Sequence, residues 1–204
     1  SLQQVLRKLF QGLRLIWPGP DIALANKSAI SKARYRLGPR PLVELFRRVC
    51  RPLATEATPG AHLFGLRLMA VDATTEDLPD TPENARAFGR PTGPRGDGAF
   101  PQVKGVYLSE CGTHAVVDAG FWPCHTSEDR VAGRLLRSVG EGMLLLWDSG
   151  LHSFDLAQGT RERGAHFLGR VPGHVTFRPL VRPADGSYIA YIYPSEYHRR
   201  KRGE

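Results

Sequence analysis

Two apolar runs that each lead into an aspartate constrain the fold of this chain more than any other feature of its sequence. Residues 66–71 read LRLMAV and precede Asp72, and residues 143–147 read MLLLW and precede Asp148. Each run has the length and the polar boundary of a buried strand, so we predict one strand that ends on Asp72 and another that ends at Asp148. Because ionised carboxylates avoid interiors unless they are paired or bind a cation, packing alone does not explain these two residues.

The interval between the two aspartates favours a shared site. It leaves room for two further strands and a helix, so neighbouring strands can carry both carboxylates to one edge of a sheet. Two such carboxylates suit Mg²⁺, which prefers hard oxygen ligands, and a two-metal site of this kind catalyses phosphoryl transfer. A single strand-end aspartate is more often a turn or helix-cap residue. The repetition of the pattern favours a metal site over that alternative.

The net charge of +8 is concentrated at the start of the chain. Residues 1–60 contain eleven Lys or Arg and three acidic residues, so they account for the whole excess. Such a segment is typical of a protein that binds a phosphate backbone, although a solvated helix face or a membrane-surface contact is also basic. The apolar runs are far shorter than the roughly 20 residues of a membrane-spanning helix.

The basic segment has the periodicity of short helices. Apolar residues spaced three or four apart predict helices over residues 1–16, 28–36 and 42–50, which would form a small DNA-binding domain over residues 1–58. The alternative is a helical cap whose charge is merely solvated, since no base-reading motif is evident. The cations that we select as DNA contacts are Lys32, Arg34, Arg36, Arg40, Arg47 and Arg48.

The remaining sequence predicts a mixed α/β domain followed by short strands. Residues 80–101, rich in Pro and Gly, predict a long ordered loop, and residues 103–109 and 113–119 predict two strands joined by a turn that starts at Glu110. Ser127 is expected to cap a helix through Val139, with Glu128 and Asp129 in its first turn. From residue 165 the pattern predicts an antiparallel β-meander.

The predicted order is strand, strand, strand, helix, strand, helix, which is that of a ribonuclease-H-like α/β domain. In such a domain the first and fourth strands lie side by side and present carboxylates at one edge. We therefore predict an incomplete catalytic core of this kind over residues 59–164 and the start of a β-rich insertion over residues 165–204.

The cysteines indicate a reducing compartment. Cys50, Cys111 and Cys124 are odd in number and far apart, so they predict no disulfide framework, and no segment has the pattern of a signal peptide. We expect a cytoplasmic protein. Because the sequence starts at Ser1 without a methionine, we also expect it to be a piece of a longer protein.

Several blocks, in order, resemble the DDE transposases of bacterial insertion sequences, in the group typified by insertion element 4. Residues 30–49 (ISKARYRLGPRPLVELFRRV) resemble the N-terminal domain of the family, and residues 71–91 (VDATTEDLPDTPENARAFGRP) resemble the block around its first aspartate. Residues 100–129 and 143–154 (MLLLWDSGLHSF) resemble the stretch that leads to the second aspartate. GAHFLGRV, at residues 164–171, resembles the start of the family's β-rich insertion.

The resemblance implies a ribonuclease-H-like fold, two divalent ions, Mg²⁺ or Mn²⁺, and the cutting and joining of DNA. Asp72 and Asp148 would be the first two catalytic, metal-binding acids of a triad. The third is a glutamate in a helical Tyr-x2-Arg-x3-Glu-x6-Lys signature. Tyr197, Arg200 and Glu204 fit its first part by count, but we predict that they lie in a basic turn directly after a strand, with no room for the closing helix. We therefore expect the third acid downstream and predict little activity for this chain alone.

The implied partners are double-stranded DNA at the terminal inverted repeats and at the target, with no membrane and with room for a homodimer in the DNA complex. The implied location is the bacterial cytoplasm, at the nucleoid. Two alternatives stay open: a remnant that binds DNA without catalysis, and a stand-alone metal-dependent nuclease. The nuclease would need Glu204 or another acid to complete its site.

Overall fold

The computed structural model of the protein describes residues 2–16, 26–94 and 96–201. The chain consists of two compact units, Ser1–Val49 and Cys50–Glu204. Within the described ranges no helix combines the length and the apolar content needed to cross a membrane.

The first unit contains three helices: α1 (Leu2–Ile16), α2 (Lys27–Leu37) and α3 (Arg40–Val49). Their predicted presence is confirmed, with ends that differ by at most two residues. At the start of α2 the Asn26 side chain accepts a hydrogen bond from the Ala29 amide at 2.8 Å. Gly38, with φ of 64°, follows its last residue, as expected where a helix ends in the left-handed region.

The second unit is a mixed α/β fold with a central mixed sheet. It also contains two 3₁₀ turns: Leu136–Ser138, directly after the helix Glu128–Leu135, and Ser149–Leu151, shortly after the strand Met143–Trp147. The elements in chain order are β1 (His62–Leu63), β2 (Leu66–Asp77), α4 (Pro82–Phe88), β3 (Thr92–Gly93), β4 (Gly96–Asp97), β5 (Gln102–Glu110), β6 (Val116–Pro123), α5 (Glu128–Leu135), β7 (Met143–Trp147), α6 (Phe154–Glu162), β8 (His166–Gly169), β9 (Pro179–Val181), β10 (Ile189–Ala190) and α7 (Glu196–Lys201).

The central sheet has the order β6-β5-β2-β7-β8, and β1 also pairs with β2. Strands β6, β5 and β2 are antiparallel neighbours, whereas β2, β7 and β8 run parallel. The predicted adjacency of the first and fourth strands is therefore confirmed by the pairing of β2 with β7. Parallel neighbours bring their carboxyl ends to the same edge, which is what places the candidate site.

One face of the sheet forms the core against α5. Alternate strand residues such as Met69, Leu108 and Leu145 are buried there, together with Val131 and Leu135 from the helix. Side chains alternate across a strand and recur every three or four residues on a helix, so these spacings supply one apolar face each. Burying a side chain of this size stabilises the fold by about 1.5–3 kcal/mol.

The strand predicted to end on Asp72 continues to Asp77, so that boundary is wrong. The pairing with β5 persists from Asp72, opposite Tyr107, to Asp77, opposite Gln102. Five polar or small residues therefore stay extended because the partner strand continues, although their sequence lacks apolar alternation.

The long loop predicted over residues 80–101 is also wrong, because it contains α4 and the two-residue strands β3 and β4. The Thr81 hydroxyl accepts a hydrogen bond from the Asn84 amide at 3.2 Å, and Pro82 occupies the first helical turn. Gly89 follows the last helical residue. These are standard signals for the start and end of a helix, and they outweigh the lack of apolar periodicity.

Several other boundaries shift. The second strand of the predicted hairpin begins at Val116, and Glu110, expected in the turn, is the buried last residue of β5. The helix predicted through Val139 ends at Leu135 and continues as a 3₁₀ turn. The basic stretch after the last strand forms α7 instead of a turn.

The antiparallel meander expected from residue 165 forms only in part. Residues 179–181 and 189–190 pair antiparallel as β9 and β10. By contrast, His166–Gly169 pairs in parallel with β7, where Leu145 lies opposite Phe167. The helix α6 supplies the crossover that such a parallel connection needs, so this segment joins the central sheet.

Candidate active site

The two aspartates singled out by the sequence emerge at the same level of the central sheet. The parallel register of β2 and β7 ends with Ala70 opposite Leu146. Asp72 and Asp148 each lie two residues beyond that pair, and an even offset keeps both on one face. Adjacent strands are about 4.8 Å apart, so the register brings the two backbones close at this edge.

The local structure after the two aspartates differs. Asp72 stays in a paired strand, and its Oδ1 accepts a hydrogen bond from the Ala73 amide at 2.8 Å. Asp148 ends its strand, because its Oδ1 accepts a hydrogen bond from the Gly150 amide at 3.0 Å and so caps the 3₁₀ turn Ser149–Leu151. The Asp-Ser-Gly sequence suits such a turn, since aspartate readily bonds to the backbone two residues ahead.

Both carboxylates are exposed, and neither has an ion-pair partner within the described part of the chain. Each accepts one hydrogen bond from a nearby amide, which leaves several oxygen lone pairs of Asp72 and Asp148 open. Two accessible carboxylates with uncompensated charge match what a hard divalent cation requires. Among the described residues, no group of three or more His, Cys, Asp or Glu side chains is placed to hold a metal ion.

A third carboxylate, that of Glu128, lies beside the Asp148 turn. A Cβ added to Gly150 would lie 3.3 Å from Asp148 Oδ1 and 3.7 Å from Glu128 Oε2. Glu128 begins α5, and its Oε1 lies 3.2 Å from the Lys104 ammonium. Sequence reasoning placed Glu128 only in the first turn of a helix, since no local pattern links it to a strand end twenty residues later.

The buried acid Glu110 contrasts with the exposed aspartates. It is 0% exposed and accepts hydrogen bonds from the amides of Leu53 (3.1 Å) and Ala54 (2.8 Å) and from the Thr113 hydroxyl (2.6 Å), and it pairs with Arg67. Burial raises the pKa of Glu110, but these donors outweigh it, so the pKa lies below its usual value. These hydrogen bonds connect residues 53 and 54, at the start of the second unit, to Glu110 at the end of β5.

Asp118 has a similar structural role on β6. Its carboxylate accepts hydrogen bonds from Arg137 Nε and Nη2 at 2.8 and 2.7 Å and from the Ser138 hydroxyl at 2.7 Å. Burial raises the pKa of Asp118, and the Arg137 and Ser138 contacts lower it further than burial raises it. The hydrogen bond from Asp118 raises the pKa of Arg137. These contacts join the sheet edge to the 3₁₀ turn after α5.

A cavity of about 340 Å³ lies beyond the Asp148 turn. His152 and Phe177 line it and meet edge to face, with ring centroids 6.2 Å apart. Burial lowers the pKa of His152. Tyr191 and Tyr193 also line this cavity.

The predicted DNA contacts lie on the second and third helices of the first unit. Arg47 is partly compensated by Glu44, whose carboxylate lies 3.2 Å away. Arg34 lines a cavity of about 570 Å³ beside Tyr35 and Leu42. All six side chains are exposed to solvent: Lys32, Arg34 and Arg36 on α2, and Arg40, Arg47 and Arg48 on α3.

Comparison with known proteins gives two transposase relatives. The chain is 33% identical over 201 residues to the transposase InsG for insertion sequence element IS4 of Escherichia coli K12, an alignment that covers 98% of the chain and 45% of that protein. It is 28% identical over 144 residues to the protein named "Putative transposase InsZ" of the same strain, with 70% of the chain and 48% of that protein covered. The chain thus spans about half the length of these relatives.

No protein-family model matches the chain. Among solved structures, the chain aligns with a cryo-EM structure of the piggyBac transposase synaptic complex with hairpin DNA. The alignment has 14% identity and covers 74% of the chain and 31% of the other. Its TM-score of 0.42 is too low to establish a shared fold.

Proposed function

We propose that the chain provides the DNA-binding unit and part of the catalytic domain of a DNA transposase, because it is homologous to the transposase InsG for insertion sequence element IS4 and to a second protein named as a putative transposase. The observation that carries this proposal is the register of β2 and β7, which brings Asp72 and Asp148 to one level of one sheet edge. Both were selected from the sequence as the first two acids of the catalytic triad.

The sheet order supports a ribonuclease-H-like core. Strand β2 lies between the antiparallel strands β5 and β6 on one side and the parallel strands β7 and β8 on the other, and its pairing with β7 is the adjacency of the first and fourth predicted strands that such a domain requires. This arrangement places Asp72, within β2, beside the end of β7, where we propose that the two carboxylates act together on one phosphate.

We assign Asp72 and Asp148 as the residues that hold the divalent ions. When bound, such ions make water a stronger nucleophile and stabilise the leaving oxygen of an in-line displacement. The chain's own contribution is orientation. The amides of Ala73 and Gly150 each donate a hydrogen bond to one carboxylate oxygen and leave the other oxygen of each aspartate available to an ion.

The proposed reaction has two steps. A water oxygen first bonds to a DNA phosphorus while the bond to the 3′ oxygen breaks, and the released 3′ oxygen takes a proton to become a hydroxyl. That hydroxyl then attacks a phosphodiester of target DNA, so one strand bond forms as another breaks. We propose that the third acid of the triad lies outside the described residues; Glu204, which matches by count, is among those not described. We propose slow turnover by this chain alone.

The exposed cations on α2 and α3 are proposed to contact the DNA backbone. A run of exposed Lys and Arg on two consecutive helices neutralises phosphates without reading bases, so it supplies affinity that weakens with salt. The clustering of the whole net charge in residues 1–60 supports this role over simple solvation.

Iron-mediated cleavage of the protein tests the metal assignment. Fe²⁺ replaces Mg²⁺ at oxygen-rich sites, and hydroxyl radicals generated there cut the backbone nearby. We expect fragments that end near Asp72 and near Asp148 and that disappear when excess Mg²⁺ competes. Cuts elsewhere in the second unit, or none that Mg²⁺ suppresses, would contradict the assignment.

A further inference from the structure

Glu128 is held against the turn that carries Asp148 although it lies on a different element. It begins α5, which packs against the 3₁₀ turn Ser149–Leu151. Glu128 Oε2 and Asp148 Oδ1 approach the same point in space, the position of a Cβ on Gly150, at 3.7 and 3.3 Å. The carboxylates therefore flank a residue that has no side chain to separate them.

Lys104 fixes the position of Glu128. The Lys104 ammonium lies 3.2 Å from Glu128 Oε1 and donates a hydrogen bond to the Thr126 carbonyl at 2.8 Å. The Lys104 side chain is 11% exposed and that of Glu128 is 39% exposed, so solvent screens this pair less than a surface pair. An ion pair in this partly buried setting orients the glutamate more strictly than an exposed pair, in which both side chains keep their freedom.

The ion pair with Lys104 distinguishes Glu128 from the proposed metal-binding acids. Asp72 and Asp148 have no ion-pair partner in the described part of the chain, whereas the charge of Glu128 is compensated by Lys104. A carboxylate that is already paired and faces the turn is suited to orient a neighbour. Outer residues that orient metal-binding side chains change metal affinity by about 10–100-fold when they are removed.

We propose that Glu128, held by Lys104, is a positioning residue for Asp148. Its carboxylate packs against Gly150 and restricts the turn in which the Gly150 amide binds Asp148 Oδ1, so the remaining oxygens of Asp148 keep one direction. The proposal rests on the proposed function only for the role of Asp148 as a metal ligand. The restriction of the turn is independent of any metal.

Three variants test the proposal. Glu128→Ala removes the carboxylate, Glu128→Gln keeps the shape and an oxygen that accepts from Lys104, and Lys104→Met keeps most of the stem without the charge. The matched control is Glu83→Ala, because Glu83 also lies in the first turn of a helix and pairs with an arginine, Arg86, at 4.0 Å, but is exposed. The readouts are the solvent-exchange rate of the Gly150 amide by NMR and the Mn²⁺ dissociation constant by calorimetry.

We expect Glu128→Ala to accelerate exchange of the Gly150 amide and to weaken Mn²⁺ binding about tenfold. Glu128→Gln should restore most of the protection of the amide, and Glu83→Ala should change neither readout. The effects of Glu128→Ala and Lys104→Met should not add, because both break one pair.

Exchange and Mn²⁺ affinity in Glu128→Ala equal to those of the unsubstituted protein would overturn the proposal. Failure of the unsubstituted chain to bind Mn²⁺ would instead remove the proposed metal site. The solvent-exchange rate of the Gly150 amide in Glu128→Ala would then still show whether Glu128 restricts the turn.

Discussion

Asp72 and Asp148 lie at one level on two adjacent parallel strands, each two residues beyond the last registered pair. Their surroundings then diverge, since Asp72 remains in a paired strand and Asp148 caps a turn. One aspartate is thus fixed by the sheet and the other by a turn that its own side chain stabilises. Changes in the turn should therefore affect the site mainly through Asp148.

Removal of the Glu110 carboxylate should destabilise the second unit strongly. In Glu110→Ala the amides of Leu53 and Ala54 and the Arg67 guanidinium lose a buried partner, which costs about 3–5 kcal/mol when one member of a buried pair is deleted. Urea denaturation followed by circular dichroism measures the loss. Glu162→Ala, at an exposed glutamate on α6, is the control. An equal decrease in the free energy of unfolding in both variants would contradict the stabilising role of the Glu110 network.

The sequence predicts the part of the site that depends on apolar runs. Residues 66–71 and 143–147 are long enough to be recognised as strands, and the pairing of β2 with β7 follows from the number of elements between them. The continuation of β2 through Asp77 depends on its partner strand, β5, and polar residues give no local signal of that. Pattern alone could not reveal that Glu110 is buried, because its partners at Leu53 and Ala54 are distant in sequence.

The buried carboxyl group of Glu110 should make the free energy of unfolding depend on pH in the acid range. The pKa of Glu110 is lowered from its usual 4.5 in the folded protein, so its contribution is fully present above about pH 4.5 and is lost as the pH falls through the folded value. The unfolded chain binds more protons there, so the free energy of unfolding decreases as the pH is lowered. Glu110→Gln should flatten that decrease. A slope unchanged from the unsubstituted protein would contradict the expected role of Glu110.

Truncation of a core residue on β7 should cost far more than truncation of an exposed residue on the adjacent strand. Leu145 is 1% exposed, so Leu145→Ala should lower the free energy of unfolding by about 2–5 kcal/mol. Leu168 on β8 is 62% exposed, and Leu168→Ala should change it by less than about 0.5 kcal/mol. Thermal and urea unfolding measure both. Similar decreases in the free energy of unfolding in the two variants would contradict the assignment of the core to the face of the sheet that carries Leu145.

Substitution of cations in the first unit should lower DNA affinity and its dependence on salt. Arg36→Gln with Arg48→Gln should weaken binding to duplexes of any sequence and reduce the slope of log affinity against log salt by about two, or about one per lost phosphate contact. Fluorescence anisotropy across a salt series measures this slope. Arg134→Gln with Arg161→Gln, at exposed arginines of the second unit, is the charge-matched control. A salt slope that falls equally in both double variants would contradict the assignment of the DNA contacts to α2 and α3.

The central claim is that Asp72 and Asp148 together hold divalent metal, and calorimetric titration with Mn²⁺ tests it most directly. The unsubstituted protein is compared with an Asp72→Asn, Asp148→Asn variant and with an Asp97→Asn, Asp185→Asn control, which removes two exposed carboxylates elsewhere. We expect binding in the unsubstituted protein and in the control, and loss of binding in the Asp72, Asp148 variant. Equal Mn²⁺ binding by all three proteins, or binding by none, would contradict the claim.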